Sequence, residues 1–169
     1  MKDSSILISY DDGEPPLSLS IDNAQIINFI LTILKERGHL NWDVSLFFAS
    51  DERMKDLNLQ YRSLSSSTDV LSFSMGEEYK DAEGDGRYNA GDVVISLMRV
   101  SENARCFGVS TNEELKRVII HSILHLEGMD HATNEKEEPM LLLQEEILER
   151  YEEVQVVIGE AIEEKNEAF

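Results

Sequence analysis

The chain has 169 residues, 41% of them hydrophobic and 29% charged, which is typical of a soluble globular protein and long enough for one domain. Its single cysteine, Cys106, excludes an internal disulfide framework, and its formal net charge of −19 opposes non-specific binding to nucleic acid or to anionic membranes. Because its apolar stretches are too short for a signal peptide or a membrane span, we expect a cytoplasmic protein with no membrane partner.

Hydrophobic periodicity and capping residues predict four strands and five helices along the chain. The predicted strands cover residues 5–10, 44–50, 69–73 and 91–96. The predicted helices cover residues 20–38, 51–62, 97–108, 111–128, and a last stretch from about Asn134 or Pro139 onward. Ser50 is the expected cap of the second helix, and Thr111 with Glu114 forms a capping box for the fourth. The acidic, glycine-containing segment 76–91 is predicted to be a mobile surface loop or a hairpin tip.

This order of elements, without repeats or linkers, predicts a single α+β domain in which a small mixed β-sheet packs against several helices. We expect the domain to cover residues 1–151. Residues 152–169 are predicted to be an acidic C-terminal tail that is frayed or extends the last helix. Twelve glutamates against three basic residues over 135–169 place −9 of the −19 charge in this part of the chain.

Three of the four histidines lie within eleven residues, in the segment HSILHLEGMDH. His121 and His125 are four residues apart, so they project from the same face of a helix. Gly128 can take the left-handed conformation that reverses the chain, and the reversal would return His131 to the same point. Three imidazole ligands leave one coordination position for water, which is typical of a catalytic zinc site and not of a structural one.

Two other interpretations fit these histidines. In the first interpretation, they are ordinary half-buried side chains on an apolar helix. The fourth histidine, His39, follows a helix-ending glycine and is predicted to be an ordinary surface side chain. The spacing HxxxHxxGxxH is also that of the metzincin metalloproteases, which place a general-base glutamate directly after the first histidine. Here that position is Ser122, which has no useful basicity. Glu127 is predicted to point away from the metal, whereas Asp130 could reach a histidine ring nitrogen and orient it.

The segment HSILHLEGMDH resembles the HGxLHLxGYDH signature of the YbeY family, bacterial metal-dependent endoribonucleases associated with ribosomal RNA maturation. LNLQYR followed by STDVLSF is similar to the family's LNxxYR…TDVLSF segment, and GDVVIS is similar to its GDIxIS strand. The likeness extends over roughly residues 55–150 in the same order. The metal site that the histidine spacing predicts lies within this stretch.

The resemblance implies that His121, His125 and His131 bind one metal ion and that these residues and Arg62 are the catalytic residues. Zn2+ is the expected ion, although nickel or another divalent metal also suits three imidazoles. A guanidinium such as that of Arg62 can hold a phosphodiester by two hydrogen bonds and stabilise charge on its oxygens. The implied activity is single-strand-specific hydrolysis of ribosomal RNA in ribosome maturation and quality control, by metal-bound water or a metal-polarised phosphodiester. The resemblance also implies ribosomal proteins or a ribosome-associated GTPase as further partners.

The chain departs from the family pattern at Ser122 in place of glycine, at Met129 in place of tyrosine, and in the SLSSS loop that replaces a charged GKD-like stretch. None of these positions is a metal ligand in the resemblance. Two alternatives stay open: a metalloprotease-like or other zinc hydrolase, and a non-catalytic ribosome-associated metal-binding module. The nuclease hypothesis alone predicts a basic patch facing the histidines, formed by Arg62 and neighbouring cations, for which Arg53, Lys55 and Arg99 are the candidates.

Overall fold

A computed structural model describes residues 2–11 and 19–160 of the chain. These residues form six strands and five helices. The strands are β1 (Ser5–Tyr10), β2 (Leu19–Ile21), β3 (Trp42–Phe48), β4 (Val70–Lys80), β5 (Gly86–Ile95) and β6 (Val157–Glu160). The helices are α1 (Asn23–Glu36), α2 (Asp51–Arg62), α3 (Leu97–Phe107), α4 (Thr111–Leu126) and α5 (Pro139–Arg150).

The main sheet has four strands in the order β1-β3-β5-β4. β1, β3 and β5 are parallel to one another, whereas β4 is antiparallel to β5 and forms one edge of the sheet. β2 and β6 pair antiparallel in a separate two-stranded ribbon. The predicted α+β domain with a small mixed sheet is therefore confirmed.

Helices cover both faces of this sheet. Val93 and Ile95 of β5 belong to the large hydrophobic core, which also contains the buried faces of α1 and α4. Val94 lies between them and points to the opposite face, where it packs in a smaller cluster with Met54 of α2 and Leu71 of β4. Among the described residues, no helix combines the length and the apolar character that a membrane crossing requires.

The segment 76–91 was predicted to be a mobile loop or hairpin tip, and most of it forms the paired strands of a long hairpin. Asp81 orders the turn, because its Oδ1 accepts hydrogen bonds from the backbone amides of Glu83 and Asp85 at 3.0 and 2.9 Å. Arg87, 6% exposed, anchors the hairpin on β3 through an ion pair with Asp43. The ion pair of Arg87 with Asp43 joins residues 44 positions apart in the chain, so local periodicity could not predict it.

The end of the described chain also differs from the prediction. α5 ends at Arg150, and residues 157–160 form β6 instead of a frayed tail or a longer helix. The side chain of Asn112 on α4 holds the approach to β6, since its Oδ1 accepts from the backbone amides of Val156 and Val157 at 2.7 and 3.1 Å. Residues 161–169 of the predicted tail lie outside the described residues, and the boundary at residue 151 stays a prediction.

Candidate metal centre

Helix α4 carries the first two histidines and lies at the centre of the fold. It begins one residue earlier than the predicted capping box implies, because Ser110 and not Thr111 is the cap: its Oγ accepts from the backbone amide of Glu113 at 3.0 Å. The helix packs against α3, α5 and β4. Its apolar side chains are buried in the core, while His121 and His125 are half-buried and line an open cleft.

A tight turn after α4 brings the third histidine back to the other two. Gly128 adopts φ +95°, a left-handed conformation that favours glycine, and the amide of Met129 donates to the carbonyl of Leu124 at 3.0 Å. Arg37 fixes the start of this turn from α1, because its guanidinium donates to both carboxylate oxygens of Glu127 at 2.7 and 2.9 Å. His131 consequently lines the same cleft as His121 and His125.

Each of the three imidazole rings is oriented by an oxygen acceptor at its Nδ1 atom. Nδ1 lies 2.7 Å from Oε1 of Gln144 in His121, 2.9 Å from the carbonyl of Met129 in His125, and 2.8 Å from the carbonyl of Thr133 in His131. A carbonyl oxygen can only accept, so each Nδ1 carries the proton and donates. In the neutral rings, the lone pair of Nε2 is therefore available to a metal.

The positions of the rings fit a single metal ion. One ring nitrogen from each histidine lies within 4.8 Å of the others, and the Nε2 atoms of His121 and His125 are 3.0 Å apart. Two ligands of a tetrahedral zinc ion with bonds of about 2.0–2.1 Å would be about 3.3 Å apart. Two lone pairs facing each other at 3.0 Å repel unless a cation lies between them. Among the described His, Cys, Asp and Glu residues, none joins the group as a fourth ligand.

The surroundings of His121 favour the neutral ring that a metal requires. Burial lowers its pKa below the ordinary 6.5, and the nearby His125 and His131 lower it further, while the hydrogen bond to Gln144 acts in the opposite direction. An imidazole that resists protonation is a better ligand at neutral pH, because protons and metal compete for the same nitrogen.

The histidines lie in a cleft of about 770 Å³ between β4, α3, α4 and α5. Arg62, the last residue of α2, lines this cleft with an exposed side chain. Its guanidinium makes no hydrogen bond or ion pair with the described part of the chain, so its donors are free to bind an anion. Thr68, Asp69 and Ser72, which also match positions of the resemblance, line the cleft as well.

A second arginine of the cleft, Arg117, is already neutralised. Its guanidinium donates to Glu114 at 2.6 Å, to Glu145 at 2.7 Å and to Glu113 at 3.2 Å. Burial opposes its charge, but the hydrogen bonds to Glu145 and Glu114 outweigh burial and raise its pKa. Burial also raises the pKa of Glu114, and the hydrogen bond from Arg117 only partly offsets this effect. Arg62 is therefore the cleft arginine that can accept a new anionic partner.

The predicted basic patch is wrong except for Arg62. Arg53 faces Asp11 at 3.9 Å, Lys55 pairs with Asp51, and Arg99 pairs with Asp51 and Glu102, and none of the three lines the cleft. These cations have acidic partners outside the cleft: Asp11 just after β1, Asp51 on α2 and Glu102 on α3. The spacing of charged residues along a helix does not predict where in the fold their acidic partners lie.

The contacts of four further side chains test smaller predictions of the sequence analysis. The carboxylate of Asp130 accepts from the backbone amide of His131 at 2.8 Å and does not orient a histidine ring. His39 is half-buried and not an ordinary surface residue, because it stacks on Trp42 with 3.8 Å between ring centroids and lies 3.3 Å from Glu127.

Glu127 points away from the three histidines, as predicted. Ser122 is buried and donates to the carbonyl of Val118 at 2.8 Å, so it is no base.

Gln144 orients His121 from a different helix and was not among the predicted site residues. One signal was available: Gln144 lies four residues after Met140 and four before Leu148, both buried, so a polar side chain stands in the apolar row of α5. A buried amide in such a row needs a polar partner. The pattern does not reveal that this partner is a histidine 23 residues earlier.

Comparisons with known proteins point to one family. The family model described as Endoribonuclease YbeY matches residues 16–152. The chain is 50% identical to the Endoribonuclease YbeY of Treponema denticola over 153 residues, which covers 90% of this chain and 97% of that protein. It is 44% identical to the Endoribonuclease YbeY of Treponema pallidum (strain Nichols), covering 75% and 79% of the two chains. The solution structure of TM1509 from Thermotoga maritima is similar with a TM-score of 0.55 and 28% identity, over 85% and 87% of the two chains.

Proposed function

Because the chain belongs to the YbeY family of endoribonucleases, we propose that it is a metal-dependent endoribonuclease that cleaves single-stranded ribosomal RNA during ribosome maturation and quality control. The observation that carries this proposal is the position of Arg62, without a described partner, in the same cleft as three imidazoles whose Nε2 atoms are free. A phosphodiester that reaches the metal can thus meet a cationic donor.

His121, His125 and His131 are the proposed ligands of one divalent ion, with Zn2+ expected and nickel or another divalent metal as the alternative. When bound, such an ion supplies Lewis acidity, which polarises a phosphoryl oxygen and makes water a better nucleophile near neutral pH. Gln144 and the carbonyls of Met129 and Thr133 keep the rings in the orientation that leaves their Nε2 atoms pointing to one centre.

Arg62 is proposed to bind the phosphate of the substrate. Its planar guanidinium can donate two parallel hydrogen bonds to non-bridging phosphate oxygens and stabilise the charge that grows on them during cleavage. The side chain is exposed at the C-terminal end of α2, so it can follow the phosphate without breaking a contact within the described structure.

The setting of the activity is also a proposal. We propose a cytoplasmic enzyme, in which β6 at residues 157–160 is part of the domain through its pairing with β2. Ribosomal RNA is the proposed substrate, and ribosomal proteins or a ribosome-associated GTPase are the proposed protein partners. The strongly acidic composition supports such partners, because a chain of net charge −19 gains little from non-specific attraction to RNA.

The test is cleavage of purified ribosomal RNA by the wild type and by Arg62→Glu, each with and without a chelator. We expect the wild type to cleave only in the absence of chelator and Arg62→Glu to lose at least about a hundredfold in rate, since a repelled phosphate loses a charge-assisted donor. Arg53→Glu is the matched control, because it makes the same charge change on the same helix outside the cleft.

Cleavage by Arg62→Glu at the wild-type rate would contradict the role of the arginine. Cleavage that persists in chelator, after removal of bound metal, would contradict the role of the histidines. If Arg53→Glu were as inactive as Arg62→Glu, overall charge and not the cleft would control the reaction.

A further inference from the structure

Phe107 is an aromatic side chain that the proposed chemistry does not use. It is 68% exposed and lines the same cleft as the three histidines. The other described phenylalanines are buried or half-buried. Single exposed apolar residues are common on protein surfaces, but this one stands where a polymeric substrate would have to pass.

The backbone holds Phe107 at a defined place in the cleft. It is the last residue of α3, and Gly108, at φ +68°, ends that helix in a left-handed cap. Only residues 108–110 separate it from the start of α4, whereas the histidines lie at the other end of α4. Glu114 and His121 line the cleft seven residues apart on α4, which is about 10 Å along the helix axis. Phe107 is therefore offset along the cleft from the proposed metal.

From this placement we propose that Phe107 stacks on a base of the RNA substrate, at a nucleotide near the cleaved phosphodiester but not at it. The inference rests on the proposed endoribonuclease function and adds to it a contact that selects single strands. A base in a single strand can turn its face to an aromatic ring, whereas a base in a duplex already has both faces stacked. Phe107 presents an apolar ring with no polar group, so the contact would tolerate any base.

The proposed base contact of Phe107 complements the proposed phosphate contact of Arg62. A guanidinium binds the phosphate, which is the same in every nucleotide and in both single and double strands. Asp69 and Glu114 in the cleft are acidic, so they add no attraction for the RNA backbone. Stacking on Phe107 is then the contact in the cleft that depends on the base being unpaired.

The test measures kcat and KM for a fluorescent single-stranded RNA and for the same sequence as a duplex, with the metal-loaded wild type, Phe107→Ala, Phe107→Leu and Phe107→Trp. We expect Phe107→Ala to lose about tenfold in kcat/KM on the single strand, mainly through KM, with little change on the duplex. Phe107→Trp should keep the activity, and Phe107→Leu should resemble Phe107→Ala. Leu7→Ala is the control, because Leu7 is 65% exposed and lies outside the cleft.

A second measurement separates stacking from a structural effect. Abasic nucleotides are placed one at a time along the single strand, and one position should reduce cleavage by the wild type by about the same tenfold factor. Phe107→Ala should be insensitive to the abasic nucleotide at that position, because the contact is already lost.

The outcomes distinguish this inference from the function on which it rests. If the wild type neither cleaves nor binds the RNA, both proposals fall. If the wild type cleaves and Phe107→Ala cleaves equally well, only the stacking contact is refuted. The stacking contact is also refuted if Phe107→Leu keeps full activity, or if Leu7→Ala loses activity to the same extent.

Discussion

At the scale of single residues, the convergence of the three histidines was predictable, whereas the groups that orient them were not. The four-residue spacing of His121 and His125 and the positive φ of Gly128 are properties of the local backbone, so the sequence predicts both. Gln144 reaches His121 only because α5 packs on α4. That contact depends on tertiary packing, which periodicity within one helix does not contain.

We predict that Gln144→Leu weakens metal binding by about 10–100-fold, because the Nδ1 proton of His121 loses its acceptor and the ring loses its fixed orientation. Gln144→Glu is the matched variant, since it keeps an acceptor oxygen at the same position, and it should bind metal nearly as well as the wild type. Competition with a chromogenic chelator measures the affinities. Equal affinity of the leucine variant would show that the amide does not support the ring.

We also predict that His121 in the metal-free protein titrates below pH 6.5, because burial disfavours the charged ring. In the unfolded chain the same histidine takes up its proton near 6.5, so the unfolded state binds more protons just below that pH. The metal-free protein should therefore lose stability as the pH falls below 6.5. NMR titration of the imidazole C–H signals, assigned with His121→Ala, gives the pKa. A midpoint above 6.5 would contradict the burial argument.

At the scale of elements, helices were predicted more accurately than strand pairing. Ser50 caps α2 as predicted, with its Oγ accepting from the amide of Arg53 at 3.2 Å, because capping chemistry is local. The short strands β2 and β6 were missed, since each depends on a partner more than a hundred residues away. A hairpin tip was one of the two predictions for the polar segment 76–91, but the extent of β4 and β5 was not predicted, because contacts of Asp81 and Arg87 order this segment.

Gly91 in β5 provides a test of this hairpin. A Cβ atom there would lie 2.0 Å from the carbonyl oxygen of Phe73, and its φ of +142° is unfavourable for any side chain. Gly91→Ala should therefore lower the free energy of unfolding by about 3 kcal/mol or more. Gly84→Ala is the control: it has φ +86° and no atom within 4 Å, so a cost of only about 1–2 kcal/mol is expected. Urea unfolding of both variants measures the difference, and equal losses would argue against the close approach of β4.

At the scale of the whole molecule, the order of the predicted elements indicated the class of fold, but the net charge did not indicate the electrostatics of the cleft. The net charge of −19 is compatible with the site because Arg62 is kept apart from the acidic residues that bind Arg53, Lys55, Arg99 and Arg117. Net charge is a sum over the chain, whereas binding depends on which cation is left without a partner. The resemblance already implies Arg62, and the three-dimensional structure adds that Arg117, the other arginine lining the cleft, is paired with glutamates.

The separation of the three histidines from the large core bears on the stability of the metal-free protein. The three histidines are half-buried at the cleft, and the large core under the sheet contains none of them. We therefore expect the chelated protein and His121→Ala to keep a cooperative unfolding transition, with Tm lower by about 2–4 °C for each kcal/mol of lost binding energy. Circular dichroism melting measures this effect. Unfolding at room temperature, as in zinc-dependent small domains, would instead support a structural role for the metal.

Two of the three ring orientations rely on peptide oxygens, those of Met129 and Thr133, and not on side chains. A peptide oxygen persists whichever amino acid occupies the position, so evolutionary drift at residues 129 and 133 leaves the imidazoles aligned. The methionine that replaces the family's tyrosine is one such substitution. At residue 144 only a side chain with an acceptor oxygen can orient His121, because there the acceptor belongs to the side chain itself.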